Sequence, residues 1–165
     1  MKAILSQITA CVIFGSAIVR AQETKAPTQE ELEAKFKESM TAVTMSGRWC
    51  SLKDGVLGET KEDKYTIVGV EKGSGDSWTI NARMQYGNRD FVAPIPVKVK
   101  WAGDVAVLVV DKLQVPGPNG SGGTAYSARL LIHENTYAGH WSGGDHAGLM
   151  NGVIAKTAAT KPEAK

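Results

Sequence analysis

Trp78-Thr79-Ile80-Asn81-Ala82-Arg83-Met84-Gln85-Tyr86 alternates apolar and polar side chains without a break. Successive side chains of a strand point to opposite faces, so a period of two describes an antiparallel strand with one face in a core and the other in water. Ile95, Val97, Val99 and Trp101 repeat the pattern against Lys98 and Lys100. Ala102-Gly103-Asp104 is a tight turn, and Val105 to Val115 returns as a strand whose first half is apolar enough for both faces to be covered.

With glycine, proline, asparagine and aspartate as punctuation, the same reading places strands near 44–52, 64–72, 77–86, 91–101, 105–115, 124–133, 136–142 and 148–156. The connections are short, apart from Lys53 to Asp63, so neighbours in sequence should be neighbours in space. An all-β fold follows. Residues 44–156 are expected to form an eight-stranded antiparallel up-and-down barrel, which leaves no unpaired edge. A two-sheet sandwich uses the same alternation but needs a longer crossing connection than any seen here. Pro94 and Pro96 cannot donate to a ladder, so a bulge, an edge or a break is expected there, with the barrel imperfectly closed at that point.

Ahead of the strands, Thr28 and Glu31 form a capping-box pair: the hydroxyl accepts from the third helical amide while the carboxylate reaches back to the cap amide. A short N-terminal helix is therefore expected within 28–43, running from Gln29 to about Ala42, with Leu32, Phe36, Met40 and Val43 as its apolar stripe. It should dock on the domain or plug one end.

The first 21 residues read as a signal peptide: Lys2, an apolar run from Ala3 to Val19, and small side chains that place the cut between Ala21 and Gln22. The run is roughly seventeen residues and is interrupted by Ser6, Gln7 and Thr9, against roughly twenty needed to span a bilayer. The expected location is secreted or periplasmic, without stable membrane association once processed. Ile8-Thr9-Ala10-Cys11 resembles a lipoprotein cleavage box, and lipidation of Cys11 is the alternative. Residues 22–27 read as a flexible leader and 157–165 as a disordered tail.

About 144 residues remain after processing, enough for one domain with a real core. Loss of Lys2 and Arg20 leaves 17 basic residues against 17 acidic ones, so no charge excess recommends nucleic acid. Cys50 stands alone in the processed chain, and stability must come from burial and hydrogen bonds.

Gly47-Arg48-Trp49, at the start of the first strand and just after a short helix, resembles the glycine-x-tryptophan signature of the calycin superfamily, which includes lipocalins, fatty-acid-binding proteins and avidins. The resemblance implies a lipocalin-like barrel of eight or ten strands, with Trp49 packed across one end. It departs from lipocalins in lacking their second motif between the sixth and seventh strands and the helix after the eighth. The biotin contacts of avidins do not map onto this chain, so the resemblance supplies no ligand.

Three kinds of site are weighed. The barrel interior comes first, since small barrels either fill their lumen or hold one small ligand. Trp49, Trp78, Met84, Tyr86, Val97 and Trp101 share the inward parity and are the candidate contacts for a small apolar molecule; a structural or protein-interaction barrel with a filled core is the alternative. His140, Asp145 and His146, around Gly143-Gly144, contain metal-ligand chemistry, with His133 nearby, but match no established zinc spacing. A hairpin turn accounts for the same residues, with Gly148 and Gly152 allowing close packing around Trp141. Ser142, Asp145 and a histidine are the residue types of a hydrolytic triad without a nucleophile elbow. No catalytic residue, metal or cofactor is assigned.

Overall fold

The computed structural model describes residues 25–86, 89–116 and 123–157. The expected signal peptide with Cys11, part of the leader, the glycine-rich loop at 117–122 and the tail from 158 onward lie outside the described residues.

One helix, α1 (Gln29–Ser39), precedes strands β1 (Val43–Lys53), β2 (Val56–Leu57), β3 (Lys61–Lys72), β4 (Ser77–Tyr86), β5 (Arg89–Ala102), β6 (Val105–Pro116), β7 (Gly123–His133), β8 (Thr136–Gly143) and β9 (His146–Lys156). β1 and β3 to β9 pair antiparallel in chain order. β9 then returns to β1 through ten pairs, from Val43↔Lys156 to Leu52↔Ala147, which closes the eight-stranded barrel. The sheet has no need of a second layer, so the sandwich alternative falls.

The Lys53 to Asp63 connection is more structured than its sequence suggests. Asp54 and Gly55 both have positive φ, 50° and 78°, the conformation of a two-residue hairpin turn, and β2 folds back onto Leu52 and Lys53. β3 consequently begins at Lys61, three residues before its expected start near 64.

The capping box forms as expected: the Glu31 amide donates to Thr28 Oγ1 at 3.3 Å and the Thr28 amide to Glu31 Oε2 at 2.7 Å. The helix ends at Ser39, earlier than the apolar stripe suggests. The chain is captured there by the barrel: the Ala42 amide donates to Val68 O at 3.2 Å, and Lys156 Nζ donates to Glu38 O at 2.6 Å and Thr41 O at 3.1 Å, satisfying terminal carbonyls.

α1 plugs one end of the barrel. Phe36, 3 % exposed, meets Trp78 edge-on at 5.2 Å between centroids and Trp101 at 6.2 Å, with Met40, Val43 and Ile132 in the same buried cluster. Trp101 Nε1 is buried without an acceptor among the described residues.

Two bulges shift the inward parity. In β3 the register slips between Ile67 and Gly69, which turns Val68 outward and lets Ile67 and Val70 both face the core. In β6 it slips between Val110 and Leu113, with Lys112 at φ 50°, so Leu108 and Val110 face inward before the bulge and Leu113 and Val115 after it.

The barrel wall is weakest beside the prolines. β4 and β5 pair over ten positions, from Ser77↔Lys98 to Tyr86↔Arg89, whereas β5 and β6 pair over five, ending at Lys98↔Val109. The Val99 amide donates to Asp76 O at 2.9 Å, on the β4 side. Residues of one parity send their amides to the same side, so positions 94 and 96 would aim N–H groups at β6, where proline has none to offer.

Candidate lumen of the barrel

Above the plug the barrel is hollow. A cavity of about 530 Å³ occupies the half away from α1, and among the described residues that line it there is no charged side chain. Its wall follows from strand parity: Met45 and Trp49 from β1, Tyr65 and Ile67 from β3, Ile80 and Ala82 from β4, Ile95 and Val97 from β5, Leu108 and Val110 from β6, Ala128 and Leu130 from β7, Trp141 from β8 and Met150 from β9. The volume falls within the range of pockets that hold small molecules.

Trp49, Tyr126 and Trp141 cross the mouth. Trp49 and Trp141 meet edge-on at 5.6 Å, and Tyr126 lies 6.4 Å from Trp141. Small residues make this cluster fit: a side chain on Gly148 would run into the Trp141 ring, and one on Gly143 into Tyr126. Outside the cluster lies a second hollow of about 480 Å³, where Ser51, Glu59, Lys61 and His146 join the same three rings. Lys61 Nζ sits over the Trp49 ring at 5.2 Å.

Among the described residues the wall also holds polar side chains: Ser127 lines the cavity, and Tyr137 and Asp63 pair beside it. Tyr137, Gly152, Gly47 and Asp63 stand in register across β8, β9, β1 and β3. With no side chain on either glycine, the Tyr137 ring lies across both, and its hydroxyl donates to Asp63 Oδ1 at 3.0 Å. Asp63 Oδ2 is buried without a hydrogen-bond partner among the described residues. Burial first, and then the Asp63 carboxylate, pushes the Tyr65 hydroxyl up to about 12, and the same causes raise Tyr137.

Of the expected ligand contacts, Trp49 and Val97 line the lumen. Trp78 and Trp101 share their inward parity but stand beside Phe36 in the plug, at the opposite end from the mouth. The side chains of Met84 and Tyr86 lie outside the described residues. Trp49 packs at a barrel end, and that end is the mouth.

The polar candidates are not brought together. His140 points outward from β8, Asp145 and His146 pair at 3.1 Å with both side chains largely in water, and His133 stands at the helix end. Among the described residues no three metal-ligating side chains cluster. Gly144, at φ 61°, makes the hairpin turn, Gly148 makes room for Trp141, and Gly152 serves Tyr137 instead.

Sequence reading assigned no lumen residue on β3 or on β6 to β9, and so missed Tyr65, Leu113, Val115, Tyr126 and Trp141 among others. Tyr126 was accessible from the alternation of Tyr126, Ala128 and Leu130 with Ser127 and Arg129. Leu113 and Val115 were not, because the bulge reverses parity before them. No protein-family model matches the chain, and neither a curated protein nor a solved structure does.

Proposed function

We propose that this is an exported, non-catalytic binding protein that holds one small, neutral, apolar molecule inside the barrel. The observation that carries the reading is the lumen: about 530 Å³, walled by apolar and aromatic side chains apart from Ser127, with no charged group among the described lining residues to pair an ionic ligand. A hollow of this size left empty forfeits packing on every face, a cost that an occupant would offset. The calycin-like strand order is in keeping with such use, and the signal-like start is in keeping with export.

Titration of the processed chain with phenylnaphthylamine, a neutral apolar dye that fluoresces when shielded from water, tests the reading. Saturable binding at about one dye per chain is expected. Ala128→Trp, which places an indole in the lumen, should weaken that binding at least tenfold while leaving the chain folded by circular dichroism. Absence of saturable binding to the parent chain would favour a barrel whose role is structural.

A further inference from the structure

Strands joined by a ladder lie about 4.8 Å apart, which leaves no room for a molecule to pass between them. A ligand must therefore enter the lumen through an end or through a place where the ladder is missing. One end is plugged by Phe36 against Trp78 and Trp101, and the other is crossed by Trp49, Trp141 and Tyr126. Among the described residues the ladder stops short between β3 and β4 beyond Thr66↔Arg83, where β4 runs only to Tyr86, and over a longer stretch between β5 and β6 beyond Lys98↔Val109, where residues 89–97 and 110–116 face each other unladdered.

Both edges of that longer seam are kept from closing. On β5, Pro94 and Pro96 remove the two amides that would face β6. On β6, the register slip between Val110 and Leu113, with Lys112 at φ 50°, breaks the regular edge opposite the prolines, and Arg129 braces it from the β7 side, with Nη1 donating to the Val110 carbonyl at 2.8 Å and Nη2 to Asp111 Oδ1 at 2.6 Å. Just inside, Ile95 and Val97 face Val110 and Leu113 from opposite sides of the gap, and all four line the cavity.

From this arrangement we infer that the seam between β5 and β6 is the ligand's way into the lumen, with Pro94 and Pro96 as the residues that hold it unzipped. The inference rests on the binding reading above. It adds a route: a neutral apolar molecule enters sideways, past aliphatic side chains, rather than along the barrel axis.

The test is the rate of phenylnaphthylamine uptake by stopped-flow fluorescence. Pro96→Cys with Asp111→Cys, in a Cys50→Ser chain, places a thiol on each edge one step beyond the last inward-facing pair of the seam. Oxidation to a disulfide, verified by mass, should slow uptake at least tenfold with little change in equilibrium affinity, and a reductant should restore the rate. A second chain, Pro94→Thr with Pro96→Thr, returns the two amides and should slow uptake in the same direction without any cross-link. Uptake at the parent rate in the cross-linked chain, or in the threonine chain if the cross-link does not form, overturns the lateral route and leaves the binding reading standing. A parent chain that takes up no dye at all overturns both.

Discussion

Gly47 carries two meanings, one visible in the sequence and one not. As part of Gly47-Arg48-Trp49 it directs attention to the tryptophan, yet in the fold its missing side chain serves Tyr137, whose ring crosses Gly152 and Gly47 to reach Asp63. A methyl group on Gly47 would collide with the Asn151 carbonyl and the Tyr137 hydroxyl at once. Gly47→Ala should therefore destabilise the chain by about 2–3 kcal/mol in urea unfolding, the scale of an overpacked core; a change within experimental error would remove the stacked row from the account. Tyr65 and Tyr137 add a pH signature. Their folded values are raised above the ordinary 10.0, so the fold favours the neutral phenols. That stability is fully present below pH 10, where unfolded tyrosines are also neutral, and declines as pH rises from 10 toward about 12, because the unfolded chain releases protons that the folded one retains. Unfolding free energies measured from pH 8 upward should fall above 10, and fall less steeply in Tyr65→Phe with Tyr137→Phe. Equal slopes in the two chains would show that these hydroxyls are not held as described. None of this row was legible beforehand, because it depends on four strands meeting in register, which no single stretch of sequence encodes.

At the scale of elements, the strands were legible wherever parity was unbroken. The alternation from Trp78 to Tyr86 and the helix start at Thr28 are local signals, and both stand in the structure. Pro94 and Pro96 also spoke locally: a lost donor marks a lost rung, and the β5–β6 ladder stops at Lys98. What escaped were events imposed by neighbours. The bulges in β3 and β6 reverse parity in mid-strand, and α1 stops at Ser39 because β3 captures the Ala42 amide. The helix is a plug more than a helix former, since its hold comes from Phe36 between two tryptophans, with Lys72 bridging to Glu33 at 3.4 Å across a partly exposed contact of small worth. Phe36→Ala should cost about 3–5 kcal/mol, measured by urea unfolding. A loss below about 1 kcal/mol would mean that the helix is dispensable to the barrel.

For the whole molecule, closure and hollowness are separate properties. Closure follows from counting strands and short connections. Hollowness follows from where the large rings fall: Trp78, Trp101 and Phe36 gather at one end, and Trp49, Trp141 and Tyr126 at the other, which leaves aliphatic walls and open space between them. Sequence reading places Trp49, Trp78 and Trp101 on the inward face but does not say how far along the axis each one stands, and so a filled and a hollow barrel read alike. The most direct measurement is nuclear magnetic resonance on a methyl-labelled chain from Gln22 onward with unlabelled phenylnaphthylamine. The account predicts through-space contacts from the dye to the methyls of Val97, Leu108 and Leu130, which face the lumen. Contacts confined to the outer-face methyls of Leu131, Leu149 and Val153, or none, would contradict it.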